Sequence, residues 1–244
     1  MKQFEIKSHD GPGRYGKLGE EETPLIINRN DFTIAEDESS AYDIEREIAE
    51  WSVNETIKLA KESEIKEIAT IQGSKYIDLR IKCLKELEAM GYNGFIIANA
   101  DDLILHPRDL IDLIVNLRKN MKSSSYLIFP FAEAQFIPLL AYMGVDGFFD
   151  EIGEYYSYID VLMSPTKNYD LKTYKIYEMT REEIEKYNKN TIDFVLREVR
   201  EHMKNGSLRN LVEERSATSP QYASALRILD KEYSDYLLEY SQLY

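Results

Sequence analysis

Short apolar runs alternate along the middle of this chain with longer stretches in which apolar residues recur every three or four positions. The runs are IATI at 68–71, GFIIA at 94–98, SYLIFPF at 125–131 and DGFF at 146–149. Runs this short and this uniformly apolar suit strands covered on both faces. Between them, stripes over residues 77–90, 107–120 and 134–143 predict amphipathic helices. Gly91 and Gly144 stand just past the first and third stripes, where a left-handed residue ends a helix, and Pro107 opens the second. Strands alternating with helices in this way are the pattern of βα units in a parallel sheet.

The flanks read differently. Residues 4–18, FEIKSHDGPGRYGKL, predict a hairpin about Asp10-Gly11-Pro12-Gly13, followed by a polar link at 20–23. Residues 24–28 and 32–35 are apolar runs of strand length. Ser39 or Ser40 is placed to cap a helix over 43–62, whose stripe of Ile44, Ile48, Trp51 and Ile57 opposes a charged face. After Asp150 the alternation stops. Residues 151–177 are rich in Tyr, with a Ser-Pro-Thr-Lys turn, and predict short strands. A long helix is predicted over 180–205, with Thr180 and Glu183 in capping-box spacing and Gly206 as its stop. A last helix is predicted from Ser219-Pro220 to about Tyr240. The expected organisation is one α/β domain over 1–244: a hairpin at 1–23, a β/α core at 24–178 and helices at 179–244.

Composition narrows the classes. The chain has 244 residues and a net charge of −14, from 44 acidic and 30 basic side chains. A chain this acidic holds phosphate poorly unaided, so any work on RNA calls for a basic partner or a small local basic surface. No apolar run has the length of a membrane span and MKQFEIK lacks a signal-peptide core, so the expected compartment is the cytoplasm, with no membrane partner. Cys83 is the single cysteine; its spacing with Leu79, Leu84 and Leu87 places it in a core. His9, His106 and His202 lack the spacing of metal ligands; the first and last read as surface residues and His106 as part of a helix start. Tyr222, Tyr233, Tyr236, Tyr240 and Tyr244 suit either partner contact or packing.

The strand at 68–71 ends in Gln72-Gly73-Ser74, a strand-to-helix corner of the kind where α/β folds present chemistry. By itself that corner reads equally as a turn after a buried strand. From the residues alone, Asp150 reads first as a helix-capping or loop carboxylate, and Asp37, within Glu36-Asp37-Glu38, as part of a solvated acidic loop.

Several segments in order resemble one family. FEIKSHDGPGRYGKL with ETPLI, IATIQGSKYIDLR, MGYNGFIIAN, YLIFPFAEAQFIPLLAYMGVDGFFD and NTIDFVLREVREHMKNGSLRNLVEERSATSP are similar to stretches of the tRNA-guanine transglycosylases. The likeness is to the archaeal branch, including the first domain of archaeosine synthases. It implies a TIM-barrel-like (β/α) fold and an exchange of guanine in tRNA for a 7-deazaguanine through a covalent ribosyl–Asp intermediate. On that resemblance Asp150 is the candidate nucleophile, although its spacing from Gly144 is one residue longer than usual. Asp37, Gln72, Gly73 and Asn99 are the candidate base-binding residues.

Three departures qualify that expectation. The Asp-Ser-Gly-Gly-Phe-Gln segment with the second carboxylate is absent, and residues 23–37 are too few to hold it, so the barrel is expected to be reduced or incomplete. The zinc site of the family needs three Cys and a His before the long helix, and residues 174–190 contain neither, so no cofactor is expected. A glycine pair that accepts the base is replaced by Asn99-Ala100-Asp101-Asp102. The expected function is that of a non-catalytic transglycosylase-like subunit in archaeosine biosynthesis. It would reach tRNA through a complex with a basic partner carrying the missing catalytic and RNA-binding domains, as a homo- or hetero-oligomer. The alternatives are an active base-exchange enzyme using Asp150 and an α/β enzyme acting on a small purine-like metabolite.

Overall fold

The structure, a computed structural model, describes residues 2–239. Its centre is a parallel sheet of five strands in the order β4-β8-β7-β6-β5. These are β4 (Leu25–Ile26), β5 (Ile68–Ile71), β6 (Gly94–Ile97), β7 (Tyr126–Phe129) and β8 (Gly147–Phe148). The mixed α/β architecture is that of a TIM-barrel-like domain preceded by an antiparallel hairpin.

Period-two alternation assigns the two faces of the sheet. Ala69, Ile71, Phe95, Ile97, Leu127, Phe129 and Phe148 point into the larger apolar core, against the helices. Ile68, Ile96, Tyr126, Ile128 and Phe149 point the other way and form a second cluster with Leu25, Ile27, Phe32 and Ile34. That second cluster joins residues from both edges of the sheet, so the sheet is rolled around it. Residues 25–34 bridge the gap: Leu25 pairs with Gly147 at one edge, and Ile34 makes a parallel bridge to Ile68 at the other. Burial on both faces is why the strand sequences are continuously apolar rather than alternating.

The hairpin β1 (Phe4–Asp10) and β2 (Gly13–Leu18) covers the N-terminal end of this roll. Phe4 and Leu18 join the inner cluster, and the Phe4 ring lies 6.0 Å from that of Tyr126, at the start of β7. Arg14 of β2 is 3% exposed; its Nε donates to Asp146 Oδ1 at 2.9 Å, and its Nη atoms donate to Ser123 O at 2.9 Å and Ser125 O at 2.8 Å. Asp146 Oδ2 also accepts from the backbone N–H of Leu127 at 2.8 Å. The buried charges of Arg14 and Asp146 are therefore matched to each other and to backbone groups, as buried charge requires.

Helices cover the outer face. They are α1 (Arg46–Glu62), α2 (Ile77–Ala89), α3 (Ala100–Leu105), α4 (Pro107–Asn120), α5 (Ile137–Tyr142) and α6 (Glu151–Tyr158). A small antiparallel pair, β9 (Val161–Met163) and β10 (Asn168–Asp170), and the single turn α7 (Leu171–Tyr174) lead to α8 (Arg181–Lys204). Thr180 and Glu183 make both halves of the α8 capping box. The chain continues through α9 (Leu208–Ser216), α10 (Pro220–Glu232) and α11 (Ser234–Glu239).

Several expectations change. The polar link becomes β3 (Glu21–Thr23), an edge strand paired to β2 with Glu21 and Glu22 exposed and Thr23 buried. Of the run at 32–35 only Ile34 pairs, because Asn28 caps a tight 3-10 turn over Arg29–Asp31 and redirects the chain. Neither Ser39 nor Ser40 caps α1, which starts after an extended Glu45 without a side-chain cap. The first part of 151–177 is the helix α6, and α3 and α9 are short helices without a sequence counterpart above. The last helix breaks at Tyr233 into α10 and α11. Tyr222 and Tyr236 belong to the core, while Tyr240 and Tyr244 lie outside the described residues. His9 and His202 are half-buried rather than surface residues.

Candidate functional site

The inner face of β5 reads Ile68, Thr70, Gln72, so the strand turns polar as it leaves the cluster. Both polar side chains meet one carboxylate. Asp37 Oδ2 accepts from Gln72 Nε2 at 2.7 Å, and Oδ1 accepts from Thr70 Oγ1 at 3.2 Å. The Asp37 loop is anchored by α1, where Thr56 Oγ1 accepts from the Glu38 N–H at 3.0 Å and Ser52 Oγ donates to Glu38 O at 2.5 Å. Since the carboxylate fixes which end of the Gln72 amide is the donor, Oε1 is the other end. It is buried without a hydrogen-bond partner. Unpaired buried acceptors cost about 1–3 kcal/mol, which makes this atom the clearest unmet demand at the corner.

Arg80 ties the corner together from behind. It is fully buried, donating from Nε to Ser74 O, from Nη1 to both Ile71 O and Ala98 O, each at 2.9 Å, and from Nη2 to Asn99 Oδ1 at 3.0 Å. Burial pushes its guanidinium down to about 10, which leaves it charged at neutral pH. Asn99, in the left-handed region at φ 58°, passes the linkage on through Nδ2 to Ser40 O at 2.9 Å. Ser40 Oγ lies 3.0 Å from Ser74 Oγ, closing a circuit through three loops.

These loops wall a cleft of about 370 Å³ at the C-terminal end of the sheet. Asp37, Thr70, Gln72, Asn99, Pro130 and Phe131 are among the residues that line it. At its rim Arg29 pairs with Glu151 and lies 4.2 Å over the Phe149 ring. Asp37, Asp101 and Glu151 give the lining three carboxylates against the single cation Arg29.

The structure thus brings Asp37, Gln72 and Asn99 to one cleft and leaves Gly73 and Asp150 out of its lining. Gly73 sits at φ +140°, and a Cβ there would stand 2.7 Å from the Arg80 backbone N. Its place is against α2, which requires glycine for close approach. Asp150 occupies the N-cap position of α6 without a side-chain cap bond, and its backbone carbonyl accepts from Gly153 N at 2.9 Å. Lys189 of α8, raised chiefly by its bond to Glu185, is also raised by the Asp150 charge. The acid lining the cleft on this side is the next residue, Glu151. Arg80 was missed by sequence reasoning, though an arginine between Leu79 and Cys83 in an apolar stripe is a legible signal of a buried cation.

The sequence profile of the queuine tRNA-ribosyltransferases matches residues 27–186, a segment that contains every residue lining the cleft. This chain belongs to that family. The archaeosine synthase of Methanocaldococcus jannaschii is 33% identical over 146 residues, covering 60% of this chain and 23% of that protein. The tRNA-guanine(15) transglycosylase of Pyrococcus furiosus is 30% identical over 229 residues, covering 82% of this chain and 39% of that protein. Its counterpart in M. jannaschii is 27% identical over 230 residues, covering 80% and 35%. The chain therefore spans well under half the length of these relatives. Cys83 is buried in α2 with Sγ directed at Thr70 O at 3.8 Å, and among the described residues no three His, Cys, Asp or Glu side chains gather as ligands. Among the described residues, no helix is long and apolar enough to cross a membrane.

Proposed function

We propose that this chain is a base-recognising transglycosylase-like subunit in archaeosine-type tRNA modification, and that it does not itself perform the ribosyl exchange. The observation that carries the reading is the Gln72–Asp37 pair in the cleft wall, with Gln72 Oε1 left as a partnerless acceptor. A carboxylate beside an amide oxygen suits a ligand edge rich in N–H groups, such as that of guanine or a 7-deazaguanine. Acyl or phosphoryl anions would meet the excess carboxylates instead.

The non-catalytic part of the reading is supported by Asp150. A nucleophile must stand within reach of the ribose carbon of the bound nucleoside. Asp150 lies outside the lining, and Glu151 is engaged by Arg29. The net charge of −14 favours a basic partner to hold the RNA and supply the missing chemistry. A cytoplasmic setting suits the buried free thiol of Cys83.

Two measurements test this. In calorimetric titration, guanine is expected to bind the wild-type chain and to lose about tenfold in affinity in Gln72→Leu; equal affinity in both would overturn base recognition by the corner. In a denaturing-gel trap with tRNA, no covalent adduct is expected. An adduct formed by wild type and lost in Asp150→Ala would establish the active-enzyme reading in its place.

A further inference from the structure

A second groove opens beside the cleft, and Asp101 and Phe131 line both. It encloses about 460 Å³ between α3 and α6. Its apolar walls are bare: Leu105 is 69% exposed, Tyr155 52% and Ile159 44%. The Phe131 ring meets Tyr155 nearly edge-on at 5.7 Å, and Tyr155 lies 5.8 Å from Tyr156. One exposed leucine is ordinary on a protein surface, but a contiguous groove of this kind marks a contact site. Clustered aromatic rings also bury large area at little rotamer cost.

The rim carries one sign of charge. Asp101 and Glu133 line the groove, and no Lys, Arg or His does. Glu133 is held in place, since the Tyr156 hydroxyl donates to one of its oxygens and Gln135 Nε2 to the other. Arg181, at the start of α8, is occupied over the Tyr158 ring of α6 at 3.7 Å and beside Glu154 at 3.9 Å. A phosphate backbone laid along this groove meets two carboxylates and no cation, so RNA is the disfavoured occupant.

We infer that the groove docks a segment of a partner protein carrying an aromatic or leucine anchor flanked by Lys or Arg. The anchor fills the space between Leu105, Phe131 and Tyr155, and the flanking cations pair with Asp101 and Glu133. The net charge of −14 draws such a segment from a distance. Because Asp101 and Phe131 belong to both spaces, the docked segment ends at the mouth of the cleft. Only the use of that position, to complete a base-exchange site, rests on the function proposed above.

The test is selection of a phage-displayed random peptide library on the whole chain. Enriched peptides are expected to combine Trp, Phe or Leu with adjacent Lys or Arg and to lack acids. Their affinity is expected to fall with added salt and to drop about tenfold in the double variant Leu105→Ser, Tyr155→Ala, whose side chains are solvent-exposed. Enrichment of peptides without basic residues, equal binding to the double variant, or no enrichment at all would overturn the proposal. So would single-stranded oligouridine binding that weakens in the double variant. Neither substituted residue lines the cleft, so guanine affinity is measured in the same variant as a separate readout. Failure of the groove then leaves base recognition standing, and failure of base recognition leaves the groove result standing.

Discussion

At the N-terminal end of the rolled sheet Arg14 finds a carboxylate, two backbone carbonyls and the face of Phe4 at 4.6 Å. At the C-terminal end Arg80, equally buried, finds three carbonyls and the Asn99 amide, and among the described residues no carboxylate pairs with it. The first arrangement neutralises its charge and closes the floor. The second leaves a positive charge behind a cleft whose lining carries Asp37, Asp101 and Glu151. A buried charge matched by a counter-charge suits a structural end, whereas the partnerless Gln72 Oε1 and the exposed acids suit an end that meets a ligand.

The largest effect expected is at the floor. Asp146→Ala leaves Arg14 buried without its counter-charge and should cost about 3–5 kcal/mol, read by chemical denaturation. Chains that remain folded should still bind guanine with wild-type affinity, and a parallel loss of binding would show that the two ends are coupled. Arg80→Met comes next, at about 3 kcal/mol, because Ser74 O and Asn99 Oδ1 lose their donor in a buried setting. Here the folded fraction should lose guanine affinity as well, since the circuit through Asn99 and Ser40 is cut. Retained affinity would reduce Arg80 to a packing role. Gly73→Ala should cost about 2 kcal/mol, from its left-handed backbone and the approach to Arg80 N.

The smallest effect is a pH dependence at the floor. Burial, then Arg14 and Arg118, lowers the His9 imidazole below its ordinary 6.5, against a smaller opposing effect of Asp146. The unfolded chain therefore takes up the proton first. The contribution of His9 is complete above about pH 6.5 and is lost as pH falls through the lowered folded value. Melting temperature should decline on that acid side and decline less in His9→Gln. An unchanged slope would show that His9 gains its proton as readily folded as unfolded.

The parallel strands and the helices at 77–90, 107–120 and 180–205 were legible because burial on both faces or on one stripe leaves a strong local pattern. Pro107, Gly91, Gly206 and the Thr180–Glu183 box marked the boundaries through local backbone chemistry. The short elements were not legible. β3 lacks an apolar signature because Glu21 and Glu22 face water and its one buried residue is Thr23, and the tyrosines of α6 lie largely on its exposed side, so no apolar stripe announces the helix. At the site, the meeting of Asp37 and Gln72 across 35 residues was suggested by resemblance, and their hydrogen bond is a fact of the fold.

The chain by itself determined where the core strands and the long helices lie and which family it belongs to, since both follow from residues read in order. Only the tertiary structure decided which polar groups share a wall. Asp150 and Glu151 are neighbours in sequence, yet Glu151 lines the cleft and Asp150 does not, because the direction of a side chain at a strand-to-helix corner is set by packing across the sheet. The Gln72-Gly73 corner was visible as a motif. Its division of labour, with Gln72 turned to the cleft and Gly73 pressed against Arg80, exists only once α2 has docked.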